Sequence, residues 1–361
     1  MIVIAGGATG GHVMPGLAIA RALVRRGHDA SEIHFIGSER GIEVEAVPAA
    51  GFGLTALPGR GLERRLTLRN VRNAWGIVRG AARGVLLVRR LRPRVVVVLG
   101  GFASVPGLVG ALVWRVPIIT SEQNAVPSLA TRWAARFAAA NAVPVPQGVS
   151  REVVTGNPVR DEVAALAGAD PSVWKPRQGF PPDRVLIVAF GGSLGSLRIN
   201  RAVIGLAEQW ADRADLTIHH VIGRRDWQDL QRPEPAPHGL DYRPVEFDHD
   251  LPANLAAADL VVCRAGASTV AELTVIGRPA VLVPGPFAPN DAQSANAAIM
   301  ASAGAAVVVP DDALDTDRLC REVEALLADG RLQARAEAAR RLGRPDAADA
   351  VARLIDAHEQ G

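Results

Sequence analysis

The sequence predicts an α/β fold made of two domains, each built on a parallel sheet. Three observations carry the prediction. Short β-branched runs alternate with Ala- and Leu-rich helical stretches, the pattern of parallel strands joined by right-handed crossovers. The strand-like runs are unbroken and apolar, as strands covered on both faces are. The two halves also begin alike: VIAGGATGGH (3–12) and IVAFGGSLGS (187–196) both read as strand, double glycine, polar residue, glycine, helix. The echo points to two Rossmann-like domains.

In the first half, IVIAG (2–6), IHFIG (33–37), VVVVLG (95–100) and PIIT (117–120) read as buried strands, with helical patterns such as residues 16–26 between them. The pattern restarts with VLIVAF (185–190), LTIHHVIG (216–223), LVVC (260–263), AVLVP (280–284) and AAVVVP (305–310). Residues 168–184, rich in proline and polar side chains, read as a surface loop. The hinge is expected earlier, near TGNPVR (155–160), where Asn-Pro turns the chain. The expected domains are therefore 1–158 and 159–344. Ligands of open α/β sheets bind beyond the carboxyl ends of the strands. Two such domains facing each other would enclose a cleft with glycine loops on both walls.

Composition narrows the function classes. A chain of 361 residues suits two domains, and 48% apolar residues are ample for two cores. Lys175 is the only lysine, and the net charge is +3, so basicity matters only where arginine clusters. Cys263 and Cys320 have no metal-ligand spacing and read as reduced thiols of a cytosolic protein. Met1 leads straight into a strand, which is not a signal peptide. No apolar run approaches the ~18–20 residues of a membrane span. The expectation is a cytosolic protein, with attachment to a membrane surface left open.

Several motifs carry candidate chemistry. Glycines between a strand and a helix let backbone N–H groups approach an anion, and Thr9, Gly10 and Gly11 lie in such a turn. His12-Val13 follows where a P-loop needs Lys-Ser/Thr, so ATP-driven phosphoryl transfer is not expected. A neutral His12 at the rim could take a proton from a substrate hydroxyl; helix capping or packing is the simpler alternative. GGSLGSLRIN (191–200) offers Ser193 and backbone amides to a second phosphate. CRAGASTVAEL (263–273) opens a helix with Ala267, Ser268 and Thr269, and Glu272 stands where it can accept from a ribose diol or serve as a capping acid. PNDAQSANA (289–297) presents Asp291 and Gln293 at another helix start, for sugar hydroxyls. SEQN (121–124) follows a strand directly, making Glu122 and Asn124 candidates for acid–base or orienting roles, or simply a turn. DHD (248–250) has the form of an Asp-X-Asp metal motif but precedes a helix start and reads better as a loop. Residues 60–94 hold eleven arginines against one acid, Glu63, interleaved with apolar side chains and Trp75. Such a surface suits anionic lipid headgroups. The few aromatics and the lack of a nucleic-acid motif argue against nucleic acid.

Taken in order, GGATGGHVMPGLAIA, SEQN, TGNPVR, GGSLGSLRIN and CRAGASTVAEL resemble the motifs of the MurG family of bacterial glycosyltransferases over nearly the whole chain. The resemblance implies a GT-B fold: two Rossmann-like domains facing across a cleft, with a C-terminal helix (about 345–361) returning to the first. It implies inverting transfer of N-acetylglucosamine (GlcNAc) from UDP-GlcNAc to the 4-hydroxyl of the N-acetylmuramic acid (MurNAc) in lipid I (undecaprenyl-pyrophosphoryl-MurNAc-pentapeptide). The product is lipid II for peptidoglycan. By the same resemblance the loop around Phe247 and Asp248 lines the uracil and Glu272 takes the ribose. Ser193, Ser268 and Thr269 meet the diphosphate, Ala267 belongs to the same UDP-GlcNAc site, and Gln293 reads the sugar. Thr9, Gly10, Gly11, Asn124 and Arg160 complete the donor site. His12 is the first choice of base, with Glu122 second, acting directly or through the histidine. No metal or cofactor is expected. The implied setting is peripheral, on the cytoplasmic face of the cell membrane, with the anionic membrane surface and cell-wall synthesis proteins as partners.

The chain departs from the family pattern at Ala8, Phe102, Ser121, Leu194 and Ala292; the last two lie by the implied donor site. The alternatives are another GT-B nucleotide-sugar enzyme, such as a lipid glycosyltransferase or a UDP-GlcNAc 2-epimerase, and a non-catalytic, membrane-docked binding subunit. His12, Glu272 and Gln293 argue against the last.

Overall fold

The computed structural model describes residues 1–58, 68–192, 195–234, 236, 238–286, 289–328 and 330–359. The chain divides into two compact units, Met1–Asp161 with Asp346–Gly361, and Glu162–Pro345.

The first unit holds β1 (Ile2–Ala5), β2 (Ile33–Ser38), β3 (Gly53–Leu57), β4 (Val95–Val98), β5 (Ile118–Ser121), β6 (Ala140–Val143) and β7 (Glu152–Val154). Among the described residues they form one parallel sheet in the order β3-β2-β1-β4-β5-β6-β7. The second unit holds β8 (Val185–Phe190), β9 (Leu216–Val221), β10 (Asp241–Val245), β11 (Leu260–Cys263), β12 (Ala280–Leu282) and β13 (Ala306–Val308). Their order is β10-β9-β8-β11-β12-β13, again parallel throughout. Each sheet has its first strand between its second and fourth. The crossovers leave in opposite directions on either side of it, which opens a crevice at the carboxyl ends of β1 and β4, and of β8 and β11. Register brings Ala5 abreast of Val98 and Phe190 abreast of Cys263, so the loops that follow start level with each other.

Burial explains why these runs become strands. Every residue of β1 and β4 is fully buried, and the helix Gly10–Arg25 covers them with Val13, Leu17, Ile19 and Leu23. The helix Ala347–Glu359 adds Ala348, Val351, Ala352 and Ile355 to the same core, three or four residues apart on one face. Full burial of Val351 and Ile355 contributes about 1.5–3 kcal/mol each. At the rim, Arg26 pairs with Asp356 at 2.6 Å and Arg25 with Asp349 at 3.1 Å.

Residues 168–184 are not simply a surface loop. They contain the helix Pro171–Arg177, whose N-cap Asp170 accepts from Ser172 N at 2.9 Å and whose first position is a proline. Buried Lys175 pairs with Asp259 at 2.6 Å, and Phe180 is buried as well. The strands β3, β6, β7 and β10 were not legible as apolar runs. Three of them are sheet edges, and β10 carries Pro244, which an edge strand tolerates.

Of the arginine-rich stretch, residues 60–67 lie outside the described residues. Most of the rest forms the helix Leu68–Leu91. It lies against the helix Val105–Trp114 so closely that a Cβ on Gly84 would overlap the Pro106 carbonyl. Val88 is buried there, while Val78 and Leu86 are 57% and 65% exposed. Among the described residues no helix is long and apolar enough to cross a membrane.

Candidate active site

In the first unit the glycine turn after β1 becomes the start of a helix. Thr9 is the N-cap, in extended conformation, and Gly10, Gly11 and His12 are the first three helical residues. The amides at the start of a helix have no partner in its own ladder, so Gly10 and Gly11 present theirs outward. Thr9 Oγ1 lies 3.1 Å from His12 Nδ1. The other face of the ring rests on the turn after β4: a Cβ built on Gly100 would stand 3.7 Å from His12 Nε2, and one on Gly101 3.5 Å from Cε1. Burial pushes His12 below the usual imidazole value of 6.5, against the opposing pull of Glu122 and Glu43. The ring is therefore neutral at pH 7, as a proton acceptor must be.

Glu122 is buried just beyond β5. Its Oε1 accepts from Gln123 N and Asn124 N, both at 3.0 Å, and from Asn124 Nδ2 at 3.2 Å. Its Oε2 accepts from Ser128 N at 3.1 Å. The carboxylate thus shapes the loop that carries Asn124, and it reaches His12 through its field. Among the departures, Ala8 adopts φ 74°, the left-handed region that favours glycine. The Ser121 hydroxyl is buried and has no hydrogen-bond partner among the described residues. Phe102 sits in a short 3-10 turn after Gly101. Arg160 is half-buried, next to the last residue of this segment of the unit.

In the second unit the described candidate residues lie beyond the carboxyl ends of β10, β11 and β12. Ser193 and Leu194 lie outside the described residues. Ala267, Ser268 and Thr269 open the helix Ala267–Ile276, behind Gly266 as N-cap, and Glu272 follows on its second turn. The Ser268 hydroxyl is buried and takes no hydrogen bond among the described residues, which leaves it free for a ligand oxygen beside the helix N-terminus. Gln293 is the second residue of the helix Ala292–Ser302, and its Oε1 accepts from Gly285 N at 2.7 Å. That bond turns the amide so that Nε2 is the group left to offer. Asp291 is exposed and accepts from Ser294 Oγ at 2.6 Å.

Asp248 does not present its carboxylate to solvent. Its Oδ2 lies 2.9 Å from His219 Nε2 and accepts from Asn254 Nδ2 at 2.8 Å, while Oδ1 accepts from Asp250 N at 2.8 Å. Burial alone would raise its pKa, but these hydrogen bonds outweigh it and hold the group below the usual carboxylate value. Anchoring Asp248 inward leaves Phe247 45% exposed, in contact with the His249 ring at 4.8 Å and beneath the Arg224 guanidinium at 5.2 Å.

Two organising residues escaped the sequence reading. Arg264, directly after β11, donates to Ser196 Oγ at 2.7 Å and to Val283 O at 3.1 Å, and pairs with Asp311 at 2.6 Å. It ties together the loops after β8, β11 and β12; its place at the end of a buried strand was the available signal. Glu43 belongs to none of the sequence motifs, and its partner at the glycine turn, Ala8, is thirty-five residues away.

Comparison with known proteins identifies the family. Residues 2–143 match the glycosyltransferase family 28 N-terminal domain, and residues 186–351 match the family 28 C-terminal domain. The chain is 35% identical, over 98% of its length and 97% of the relative's, to a Desulforudis audaxviator protein. That protein is named UDP-N-acetylglucosamine–N-acetylmuramyl-(pentapeptide) pyrophosphoryl-undecaprenol N-acetylglucosamine transferase. This chain is 39% identical to the protein of the same name from Alkalilimnicola ehrlichii, over 98% of this chain and 97% of that one. Among solved structures, MurG of Acinetobacter baumannii superposes with a TM-score of 0.77 at 25% identity, covering 99% of each chain. The kitacinnamycin glycosyltransferase, at TM-score 0.69 and 19% identity over 99% of this chain and 98% of that one, shares the fold. The chain, a GT-B glycosyltransferase of two Rossmann-like units, belongs to glycosyltransferase family 28, among the MurG-type N-acetylglucosamine transferases.

Proposed function

We propose that the protein transfers GlcNAc from UDP-GlcNAc to the MurNAc 4-hydroxyl of lipid I, with inversion, to give lipid II. The relatives' shared name supplies the two substrates. The observation that carries the chemistry is the neutral His12, held by Thr9 at the start of a helix. With Nδ1–H donated to Thr9 Oγ1, His12 Nε2 accepts the proton of the attacking hydroxyl. The C4 oxygen attacks the anomeric carbon, the bond to the diphosphate breaks, and UDP leaves with the electron pair. The charge that develops on UDP meets the start of the helix Ala267–Ile276, with Ser268 and Thr269. Glu272 takes the ribose and Gln293 Nε2 the sugar. In this reading Ser193, Asn124 and Arg160 complete the donor site, and the loop of Asp248 lines the base through its backbone and Phe247. No metal takes part.

The exposed Val78 and Leu86 share a helix face with the exposed Arg79, Arg83 and Arg90, while Arg89 stacks on Trp114 at 5.3 Å. We assign this basic and apolar face to the anionic surface of the inner membrane leaflet.

The test is transfer of labelled GlcNAc to a short-chain lipid I analogue in the presence of a chelator. Labelled disaccharide-lipid and free UDP are expected. Release of a free epimerised sugar without an acceptor would replace the reading with an epimerase. UDP-GlcNAc binding without transfer would point to a different acceptor. Loss of transfer in chelator would overturn the metal-free mechanism.

A further inference from the structure

We propose that Glu43, which none of the catalytic motifs includes, is a positioning residue for the transfer site. Its carboxylate acts as a built-in anion that sets the left-handed turn at Ala8 and holds His12 ready as base. The proposal rests on His12 being the base of the reaction above.

Glu43 is the first residue of the helix Glu43–Ala49 and is 1% exposed. Its two oxygens both accept from Ala8 N, at 3.0 and 2.9 Å. Oε1 also accepts from Ser38 N at 2.7 Å and Ser38 Oγ at 2.8 Å. Three glycines clear the space: a Cβ on Gly7, Gly37 or Gly41 would overlap the Glu43 side chain. Among the described residues no lysine or arginine pairs with it. The carboxylate is held by backbone and hydroxyl dipoles, the environment that a glycine-rich turn ordinarily offers to a bound anion.

Two consequences follow from chemistry. First, the inner side of the glycine turn is already filled by the protein's own anion. A substrate pyrophosphate meets only the outer side, through the amides of Gly10 and Gly11. Second, Ala8 occupies φ 74°, which is costly for a residue with a Cβ. Such a conformation persists only where its surroundings impose it, and the two-oxygen grip on Ala8 N does so. From Ala8 the chain passes through the Thr9 cap to His12, so the grip fixes where the imidazole begins. The charged groups acting on that ring are Glu122, beyond β5, and Glu43; both favour the imidazolium, against burial. Glu43 therefore places the base and also raises its proton affinity toward the working pH.

The experiment compares Glu43→Gln, Ala8→Gly/Glu43→Gln and Ser38→Ala with the unsubstituted protein. The His12 imidazole is titrated by NMR, and kcat and KM are measured across pH. Glu43→Gln keeps the side-chain shape but removes the charge and turns an N–H toward Ala8. Its kcat is expected to fall by at least about tenfold, a part of the about 10²–10⁴ that a positioned base contributes. The KM for UDP-GlcNAc is expected to hold, and the His12 titration to move to lower pH. Adding Ala8→Gly should recover most of the kcat, because glycine takes the left-handed turn unaided, while the lowered titration persists. Ser38→Ala removes one hydroxyl and no charge, and should leave the titration in place. An unchanged His12 titration in the double variant overturns the electrostatic role, and no recovery of kcat by Ala8→Gly overturns the positioning role. If Glu43→Gln alone does not fold, the double variant is read against the unsubstituted protein: its titration decides the electrostatic role, and a kcat still about tenfold or more below the unsubstituted value overturns the positioning role. The titration needs no substrate, so it stands even if the lipid I reading fails.

Discussion

Thr9 Oγ1 and His12 Nδ1 lie 3.1 Å apart, within one turn of the same helix start. The N-cap hydroxyl that would usually close on a backbone amide instead meets the ring of the proposed base; among the described residues no side-chain cap bond is made at Thr9. Thr9→Val, which keeps the shape and loses the hydroxyl, is expected to lower kcat about tenfold and leave the donor KM unchanged. His12→Ala should cost about 10²–10⁴ in kcat. Steady-state kinetics with both substrates varied checks both, and full activity of His12→Ala would remove it as the base.

The pH profile has a definite sign. Burial lowers the His12 pKa below 6.5, and the working form is neutral. The acid limb of kcat/KM should therefore lie below pH 6.5, with a plateau above it. A limb at or above pH 7 would assign the titration to another group.

Gln293 spends its carbonyl on Gly285 N at 2.7 Å, so Nε2 is the group left for the proposed sugar contact. Gln293→Glu keeps the acceptor for Gly285 and removes the donor. Loss of one hydrogen bond of about 1–3 kcal/mol predicts a roughly tenfold or larger rise in the KM for UDP-GlcNAc. Thermal melting should be little changed. An unaltered KM would take Gln293 out of sugar recognition.

Acid should destabilise the second unit through His220. Burial pushes its imidazole down to about 3, with His219 adding a smaller effect in the same direction. The unfolded chain binds this proton below about pH 6.5, whereas the folded chain stays neutral until about pH 3. Stability is complete above the unfolded value and falls with pH through that window, by about 2 kcal/mol at pH 5 from this group. Urea unfolding at pH 7 and pH 5 measures it, and His220→Gln should flatten the difference.

Reversing charge on the exposed face of the arginine-rich helix tests membrane attachment. Each arginine near an anionic surface contributes about 1 kcal/mol, so Arg79→Glu/Arg83→Glu/Arg90→Glu should weaken binding to anionic vesicles at least about a hundredfold. Turnover of a soluble acceptor analogue should be spared. Unchanged vesicle sedimentation would overturn the assignment.

What the sequence by itself determined is whatever depends on neighbours along the chain. The apolar runs of β1, β4, β8 and β11 could be read because a strand buried on both faces needs every residue apolar. The glycine turn, Thr9 and His12 could be read because a cap, a turn and a helix start are set within a few residues. Edge strands such as β7 and β10 were hidden, since half-exposed backbone tolerates Glu152, Arg243 and Pro244. Tertiary structure decided the rest. It turned Asp248 inward onto His219 twenty-nine residues away, committed the Gln293 carbonyl to Gly285, and gave Glu122 a loop to hold. It also brought Glu43 under Ala8. A carboxylate in a sequence states only that it needs donors; which donors it finds is settled when the sheet sets β1 beside β2 and carries their loops to the same edge.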